Sequence, residues 1–174
     1  MKKILYLAMA AFCATTLTSC LGDDTTGYDD WREENNRYLA NIDEKEYTKV
    51  VPSWAPDNSV YTKWHNDRAL TANNLVPMST STVNVKYELE DINGNKIENS
   101  YSSTTNGDSI YQSKPNSNVI GMWAAMTVMH VGDSVTLIIP YNSGYGSTLK
   151  GSIKPYSNLI FHMKMKEIVA YEKE

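Results

Sequence analysis

The stretch VIGMWAAMTVMHVGDSVTLIIPYNSGYG, residues 119–146, decides the fold of this chain. Its first part, residues 119–128, predicts a short helix, and the Val131-Gly132-Asp133 triplet predicts a turn. Apolar side chains then recur at every second position, at Val135, Leu137 and Ile139. This alternation is typical of a strand with one buried face. Together with the strand patterns of the remaining chain, this helix predicts an α+β architecture.

Most of the remaining chain carries strand patterns. Residues 60–64 predict one strand, and residues 83–90 predict another, because apolar and polar side chains alternate there with period two. Asn93-Gly94 is a strong hairpin signal after the second of these runs. Residues 100–108 are rich in Ser, Thr, Asn and Gly and predict a loop. A last alternating run contains Leu159, Phe161, Met163 and Met165. These runs predict an antiparallel sheet with the short helix laid across it.

A second helix is predicted near the N-terminus, over residues 30–45. Asp30 is placed to cap it, and Glu33 follows three residues later, as in a capping box. One side of this helix is apolar and contains Trp31, Tyr38, Leu39 and Ile42. Two interpretations remain open: the helix packs on its own domain, or it serves a partner or a dimer. A turn region at residues 51–57 follows it.

The first twenty residues resemble a bacterial lipoprotein signal. Lys2-Lys3 precedes an apolar run over residues 4–16, which is too short to span a membrane. Leu17-Thr18-Ser19-Cys20 then matches a lipobox, which predicts lipidation of Cys20 and a stable membrane anchor. We therefore expect a signal peptide at 1–19 and a tether at 20–29. Gly22-Asp23-Asp24 resembles the export signal of Bacteroidetes surface lipoproteins, so we expect an outer-membrane lipoprotein, periplasmic or surface-exposed.

Charge and cysteine content exclude several kinds of function. The formal net charge is −4 and no basic patch is visible, which argues against nucleic acid as a partner. The two cysteines, Cys13 and Cys20, both belong to the expected signal, so neither a disulfide nor a cysteine nucleophile is predicted. No cofactor and no metal are expected, and the histidines are interpreted as surface residues: His65, His130 and His162.

An ordered set of motifs resembles the FKBP-type peptidyl-prolyl cis–trans isomerase family. That family has a strand with a pocket tyrosine, a glycine turn, a Phe-Asp pair and a Val-Ile-x-Gly-Trp helix start. A Met-x-Val-Gly turn, an Ile-Pro strand end, a Tyr-Gly loop and a Leu-Ile-Phe strand follow. The corresponding segments here are 83–87, Asn93-Gly94, Ile97-Glu98, 119–123, 129–132, 137–140, 144–146 and 158–161. The order and spacing hold from about residue 83 to residue 169.

The resemblance implies an FKBP-like fold, a curved antiparallel sheet wrapped around one short helix, with an added N-terminal helix. It implies an FKBP-like domain at 58–174 after an N-terminal helix and turn region at 30–57. The residues carried over as catalytic are Tyr87, Trp123, Tyr145 and Phe161, with Trp123 as the floor under the proline ring. Those carried over as substrate-binding are Ile97, Glu98, Val119, Ile120 and Ile153, with the Ile120 backbone N–H as a donor to the substrate carbonyl.

The chain departs from the family pattern in several places. Ile97-Glu98 replaces the Phe-Asp pair, and the loop at 149–151 lacks the histidine often found there. Gly121 comes one place early if Trp123 is matched to the family tryptophan, and the stretch from Trp123 to Gly132 is then one residue short. A wall residue before the helix matches Ile110 or Tyr111, and the sequence does not choose between them.

The expected function is that of a peptidyl-prolyl isomerase that assists protein folding in the bacterial cell envelope. Its partners would be proline-containing peptides or unfolded envelope proteins. Such a site needs an apolar hollow and a few donors, without a nucleophile, because the twisted amide is less dipolar than the planar one. An alternative is an FKBP-like lipoprotein that binds peptides or proteins with weak or no isomerase activity. A structural lipoprotein with an unrelated β-fold is a further alternative. The sequence does not determine the oligomeric state.

Overall fold

The structure is a computed structural model that describes residues 26–101 and 109–171. Two α-helices occur in these ranges, α1 (Asp29–Ala40) and α2 (Ile120–Met126). The strands are β1 (Thr48–Val50), β2 (Val60–Trp64), β3 (Thr82–Glu90), β4 (Lys96–Asn99), β5 (Tyr111–Ser113), β6 (Ser134–Ile139) and β7 (Leu159–Ala170).

The strands form one antiparallel sheet with the order β1-β2-β6-β7-β3-β4, and β5 pairs with β3 beyond the end of β4. The long strand β7 lies at the centre between β6 and β3. Its register with β3 sets Tyr87 opposite Met163 and Leu89 opposite Phe161. Since side chains two positions apart share a face, this register collects the large side chains of β3 and β7 on the side that faces α2.

The core lies between the sheet and α2. Three methionines of the helix and of the turn after it are buried there: Met122, Met126 and Met129. They pack on a layer of sheet side chains that includes Val83, Val85, Leu89, Val135, Leu137, Ile139, Leu159, Phe161, Met163 and Met165. Unbranched methionine side chains fill the irregular space between a short helix and a twisted sheet.

A glycine lets α2 lie very close to the sheet. A Cβ at Gly121 would overlap the side chain of Ile139 and lie 2.9 Å from Cγ1 of Val60. No side chain fits there without moving β2 or β6, because core packing tolerates little added volume. This contact fixes the start of α2 and the position of the residues beside it.

The N-terminal helix packs on its own domain through a pair of buried asparagines. Asn35 and Asn158 are both fully buried. The Asn158 backbone N–H donates to the Asn35 side-chain oxygen at 2.7 Å, and the Asn158 side-chain amide donates to the Asn35 carbonyl at 2.7 Å. These bonds, and a 3.0 Å bond from the Trp31 indole N–H to Ser157 Oγ, fasten α1 to the chain just before β7.

The strand and hairpin predictions are confirmed, while the ends of the helices differ. β2 has the predicted bounds, and Gly94 adopts the positive φ of a hairpin turn. The helix α1 ends at Ala40, because Asp43 accepts from the Lys45 N–H and starts a turn that stops it. Asp30 does not cap α1; it lies in the first turn beside Asp29, where negative charge favours the helix dipole. Strands β1 and β5, of three residues each, were not predicted.

The lipobox, Cys20 and residues 20–25 of the tether fall outside the described residues. Within the described ranges, neither helix has the length and apolar character that crossing a membrane requires.

Candidate functional site

A pocket of about 390 Å³ opens between the start of α2 and the face of the sheet that carries Tyr87. Ten residues line it: Tyr87, Glu98, Tyr111, Ser117, Asn118, Val119, Met122, Tyr145, Lys150 and Phe161. They come from β3, β4, β5, the start of α2, the loops around 145–150 and β7. Five of the nine pocket residues expected from the resemblance thus meet here: Tyr87, Glu98, Val119, Tyr145 and Phe161. We call this cavity the proline pocket, after the ligand that the resemblance implies.

Three aromatic rings form one wall of the proline pocket. The ring centroids of Tyr87 and Phe161 are 5.4 Å apart, and those of Tyr87 and Tyr111 are also 5.4 Å apart. Both pairs meet edge to face, the arrangement that aromatic quadrupoles favour. Val85 pairs with Tyr111 across the strands, so Tyr111 lies on the same face as Tyr87. The structure therefore chooses Tyr111 over Ile110 as the wall residue.

Three tyrosine hydroxyls and one carboxylate are among the polar groups that line the pocket. The Tyr87 hydroxyl donates to Glu98 Oε1 at 3.1 Å. Burial raises the pKa of the Tyr87 hydroxyl above its ordinary value, and the charge of Glu98 raises it further. Burial, followed by the same carboxylate, also raises the pKa of Tyr145. Both tyrosines therefore remain hydrogen-bond donors well above neutral pH.

The Tyr145 hydroxyl differs from the other two tyrosine hydroxyls of the pocket. Within the described ranges, no group accepts a hydrogen bond from its hydroxyl, whereas the hydroxyls of Tyr87 and Tyr111 are engaged by Glu98 and by Asn118 Oδ1, the latter at 3.1 Å. Tyr145 lies in a loop that Gly146 helps to form with a φ of +61°, a conformation that favours glycine. A bound peptide carbonyl is a suitable acceptor for this hydroxyl.

Trp123 does not form the floor of the proline pocket, so that expectation is wrong. Its indole stacks on Trp54 with the centroids 3.8 Å apart, and its N–H donates to Ser79 Oγ at 3.0 Å. Neighbouring helix residues point about 100° apart, and Trp123 lies on a different side of α2 from Met122. Met122, 4% exposed, is the helix residue that lines the pocket.

The family's helix-start motif aligns correctly with this chain when its glycine, rather than its tryptophan, sets the alignment. When Gly121 is matched to the glycine of the family's helix start, Met122 takes the place of the family tryptophan. The spacing to Gly132 then becomes the usual one. The early glycine and the short stretch after Trp123 were the signals in the sequence that pointed to this register.

Three of the expected substrate-binding residues lie outside the lining of the proline pocket. Ile120 is half-buried and begins α2, one residue after Val119, which does line the pocket. Ile97 and Ile153 line a neighbouring depression instead. Sequence reasoning missed the polar rim of the pocket, which comprises Ser117, Asn118 and Lys150.

The described chain has two other features of the kind that can form a site, a second depression and the histidines. A depression of about 390 Å³ also lies beside the end of α1, lined by Tyr38, Tyr47, Ile42 and Ile138 among others, but none of the expected pocket residues lies there. In the described part of the chain, no three His, Cys, Asp or Glu side chains are grouped in a way that suits a metal. His65 and His162 both contact the Thr136 hydroxyl, at 2.7 and 3.0 Å, on the outer face of the sheet.

Comparison with known proteins gives the same fold. The chain aligns with FkpA from Escherichia coli at 18% identity and a TM-score of 0.64, over 86% of this chain and 62% of that chain. It aligns with a peptidyl-prolyl cis–trans isomerase from Pseudomonas syringae pv. tomato at 16% identity and a TM-score of 0.64, over 81% of this chain and 95% of that chain. It also aligns with the structure of the three FKBP domains of wheat FKBP73 at 17% identity and a TM-score of 0.57, over 71% of this chain and 51% of that chain.

The chain thus spans less than two thirds of the FkpA and wheat chains. A search among curated proteins found no match. The fold is nevertheless FKBP-like, with a curved antiparallel sheet and two helices. The model of the FKBP-type peptidyl-prolyl cis–trans isomerase family matches residues 74–166, which is just over half of the chain and includes all ten residues that line the proline pocket. The chain therefore belongs to the FKBP-type peptidyl-prolyl cis–trans isomerase family.

Proposed function

We propose that this protein catalyses cis–trans isomerisation of peptidyl-prolyl bonds in unfolded proteins of the bacterial cell envelope. The observation that carries the proposal is the proline pocket itself. It combines an aromatic wall, a methionine floor and the Tyr145 hydroxyl, which has no acceptor among the described residues and can donate to a peptide carbonyl. Its residues come from the part of the chain that the family model matches.

The arrangement suits a reaction that makes and breaks no covalent bond. Rotation about an X–Pro amide has a barrier of about 18–20 kcal/mol, because the planar amide must lose its resonance. The planar amide has the more dipolar carbonyl, so an apolar wall destabilises it relative to the twisted amide. Binding that favours the twisted form lowers the barrier, and each ~1.36 kcal/mol of such preference gives a tenfold rate.

Each part of the pocket has a role in this mechanism. The rings of Tyr87, Tyr111 and Phe161 and the thioether of Met122 enclose the proline ring and exclude water from it. The Tyr145 hydroxyl holds a carbonyl of the peptide, and the Glu98 carboxylate fixes the Tyr87 ring through its hydroxyl. No step requires proton transfer from these groups, since the amide only rotates.

The test is an isomerase assay on short Xaa-Pro peptides, measured by protease coupling and by NMR exchange. We expect acceleration over the uncatalysed rate and a fall of kcat/KM by about tenfold or more in Tyr145→Ala, which opens the pocket and removes its free donor. Tyr171→Ala is the matched control, since Tyr171 is an exposed tyrosine outside the pocket. Folded protein without acceleration would reject the proposal.

A second function, peptide binding without turnover, is favoured by the floor of the pocket. Met122 replaces a rigid indole by a flexible thioether, and Ile97-Glu98 replaces the family's Phe-Asp pair. A site of this kind holds the proline ring less firmly in one geometry. Saturable binding of proline peptides, without any increase in their exchange rate, would establish this second function.

The cellular setting that we propose is an outer-membrane lipoprotein anchored by a lipid on Cys20. The lipobox and the acidic pair Asp23-Asp24 in the sequence support it. Detergent partitioning of wild type and of Cys20→Ser tests the anchor, with partitioning into detergent expected only for wild type. A Cys20→Ser variant that still partitions with the membrane would refute the anchor and leave the enzymatic proposal unaffected.

A further inference from the structure

A second, smaller depression lies beside the proline pocket and is closed on one side by α1. It has a volume of about 210 Å³. Its apolar surface comes from Trp31 of α1, Ile97 of β4 and Ile153, and its rim is polar, with Asp91, Asn95, Lys96, Ser152, Lys154 and Ser157. Ligand pockets usually measure about 300–1,000 Å³, so a volume of this size suits one side chain rather than a whole ligand.

The two cavities share the same supporting segments. Ile97 lines the second depression, and the next residue, Glu98, lines the proline pocket. On the facing loop, Lys150 lines the proline pocket and Ile153 lines the depression, and these two residues form a bridge with N–H to O distances of 3.0 and 2.9 Å. Chain neighbours lie about 3.8 Å apart and bridge partners about 5.5 Å apart between Cα atoms, so the two cavities adjoin. An extended peptide that advances about 3.3 Å per residue then passes from one to the other within about two to four residues.

Trp31 is held in place before any ligand arrives. Its indole N–H donates to Ser157 Oγ at 3.0 Å, and the ammonium of Lys154 lies 4.7 Å from its ring centroid. The Asn35–Asn158 hydrogen bonds hold α1 one turn further along. A wall that is already ordered costs little entropy to use, which favours binding.

We propose that this depression is a peptide subsite for an aliphatic or aromatic side chain two to four residues from the proline. The proposal rests on the proposed function, because it needs a peptide whose proline occupies the proline pocket. The observations favour an apolar side chain because the centre of the depression is apolar, and Lys96 is already paired with Glu88 at 2.9 Å. The N-terminal helix thus contributes to the choice of client sequence.

The experiment measures dissociation constants by NMR titration of isotope-labelled protein. Two nine-residue peptides share an Ala-Pro-Ala centre and differ in carrying Phe or Gly at the three positions two to four residues from the proline on each side. A four-residue Ala-Pro peptide is the reference. For wild type we expect the Phe peptide to bind about tenfold more tightly than the Gly peptide, as burial of one apolar side chain predicts.

Variants then locate the preference. Trp31→Ala should reduce the preference to less than about threefold and leave binding of the four-residue peptide unchanged, since it truncates only the subsite wall. Trp31→Phe should retain part of the preference. Trp54→Ala is the matched control, because Trp54 lies outside both cavities, and it should keep the full preference. If Trp31→Ala does not fold, Ser152→Trp fills the depression from its exposed rim and should have the same effect.

The outcomes separate the two proposals. Normal binding and turnover of the four-residue peptide, with no preference for Phe or with a preference that survives Trp31→Ala, would overturn the subsite alone. Preference for Phe that depends on Trp31, without turnover of any peptide, would uphold the subsite and reject catalysis. If no peptide binds, both proposals fail.

Discussion

The two ends of α2 lie beside two groups of side chains, the proline pocket and a cluster around Asp133. At its start lies the proline pocket. Just after its end lies the Asp133 cluster, which we define as Asn66, Arg68, Thr71, His130 and Asp133. In the Asp133 cluster, the buried carboxylate accepts from Thr71 Oγ1 at 2.6 Å, from Asn66 Nδ2 at 3.0 Å and from the His130 N–H at 2.8 Å. The Arg68 guanidinium lies 3.3 Å from it.

The difference lies in whether polar groups bind one another or remain for a ligand. Asp133 is fully buried, and every contact that it makes is internal, so the cluster joins the 66–71 segment to the turn before β6. The proline pocket instead encloses empty space beside the Tyr145 hydroxyl, which has no acceptor in the part of the chain that the structure describes. A charged cluster is thus not by itself a functional site. A hollow with a free donor is the better indicator, and the two regions should respond to substitution in opposite ways.

The largest expected effect is on stability, in Asp133→Asn. An Asn side chain cannot accept from all three donors that meet the buried carboxylate, and it lacks the charge that faces Arg68, so the free energy of unfolding should fall by about 2–3 kcal/mol. Urea titration should show this loss, while the proline peptide affinity of the folded variant stays at the wild-type value. Asp57→Asn, at an exposed carboxylate, is the control and should change stability little. A loss below about 0.5 kcal/mol would show that the cluster is not a structural element.

The loss of stability in Asp133→Asn should appear only at pH values at which Asp133 is ionised in the wild type. Burial alone would raise the pKa of Asp133, but hydrogen bonds from Thr71, the His130 N–H and Asn66, with the charge of Arg68, outweigh it and hold the pKa below its ordinary value. The stability that this carboxylate contributes is therefore fully present above about pH 4, the unfolded-state pKa, and is lost as pH falls through the folded-state pKa. The difference between wild type and Asp133→Asn should shrink in that acidic range.

Trp123→Leu tests the outward face of α2 and has the next largest effect. The variant loses the stack on Trp54 and the hydrogen bond to Ser79, so the free energy of unfolding should fall by about 1–2 kcal/mol. Isomerase turnover should change by less than about twofold, since Trp123 does not line the pocket. Met122→Leu is a substitution of similar volume on the inward face. It should lower turnover and leave the free energy of unfolding nearly unchanged. A tenfold loss of turnover in Trp123→Leu would show that Trp123 does belong to the substrate site.

Tyr145→Phe removes one hydroxyl and keeps the ring. We expect kcat/KM to fall by about tenfold, the worth of one hydrogen bond made to the peptide, with unfolding unchanged within about 0.5 kcal/mol. Tyr171→Phe is the control on the exposed end of β7. Wild-type kinetics in Tyr145→Phe would mean that this hydroxyl does not contact the substrate.

The smallest effect is expected from pH. Because the pKa values of Tyr87 and Tyr145 are raised above about 10, both hydroxyls remain protonated through the neutral and mildly alkaline range. Turnover should therefore be flat, within about twofold, between about pH 6 and pH 9. A bell-shaped profile in that range would indicate a proton transfer that the geometry does not require.

The sequence predicted the sheet and most of the aromatic wall, because both depend on local alternation and on ordered motifs. Tyr87 and Phe161 were placed correctly since each lies in a long strand whose faces are fixed by period two. The floor was assigned one residue too late, to Trp123 instead of Met122. A helix of seven residues has too little periodicity to fix its register from the sequence. The register depends instead on Gly121, where any side chain would clash with Ile139.

Two further features depended on contacts between distant parts of the chain. Asn35 lies on the inner side of α1 between Trp31 and Leu39, where an apolar residue is expected, and its partner Asn158 is 123 residues away. Ile97 and Ile153 were expected at the substrate site, and the structure assigns them to the neighbouring depression because α1 and the loop before β7 meet there.

The absence of an indole from the lining of the proline pocket has a practical consequence for spectroscopy. The four tryptophans of the chain are Trp31, Trp54, Trp64 and Trp123, and none of them lines that pocket. Trp64 is covered by the Arg68 guanidinium at 4.0 Å, and Trp54 and Trp123 cover each other. Tryptophan emission will therefore respond weakly to a ligand held by the tyrosines, and a titration followed only in that way would underestimate binding.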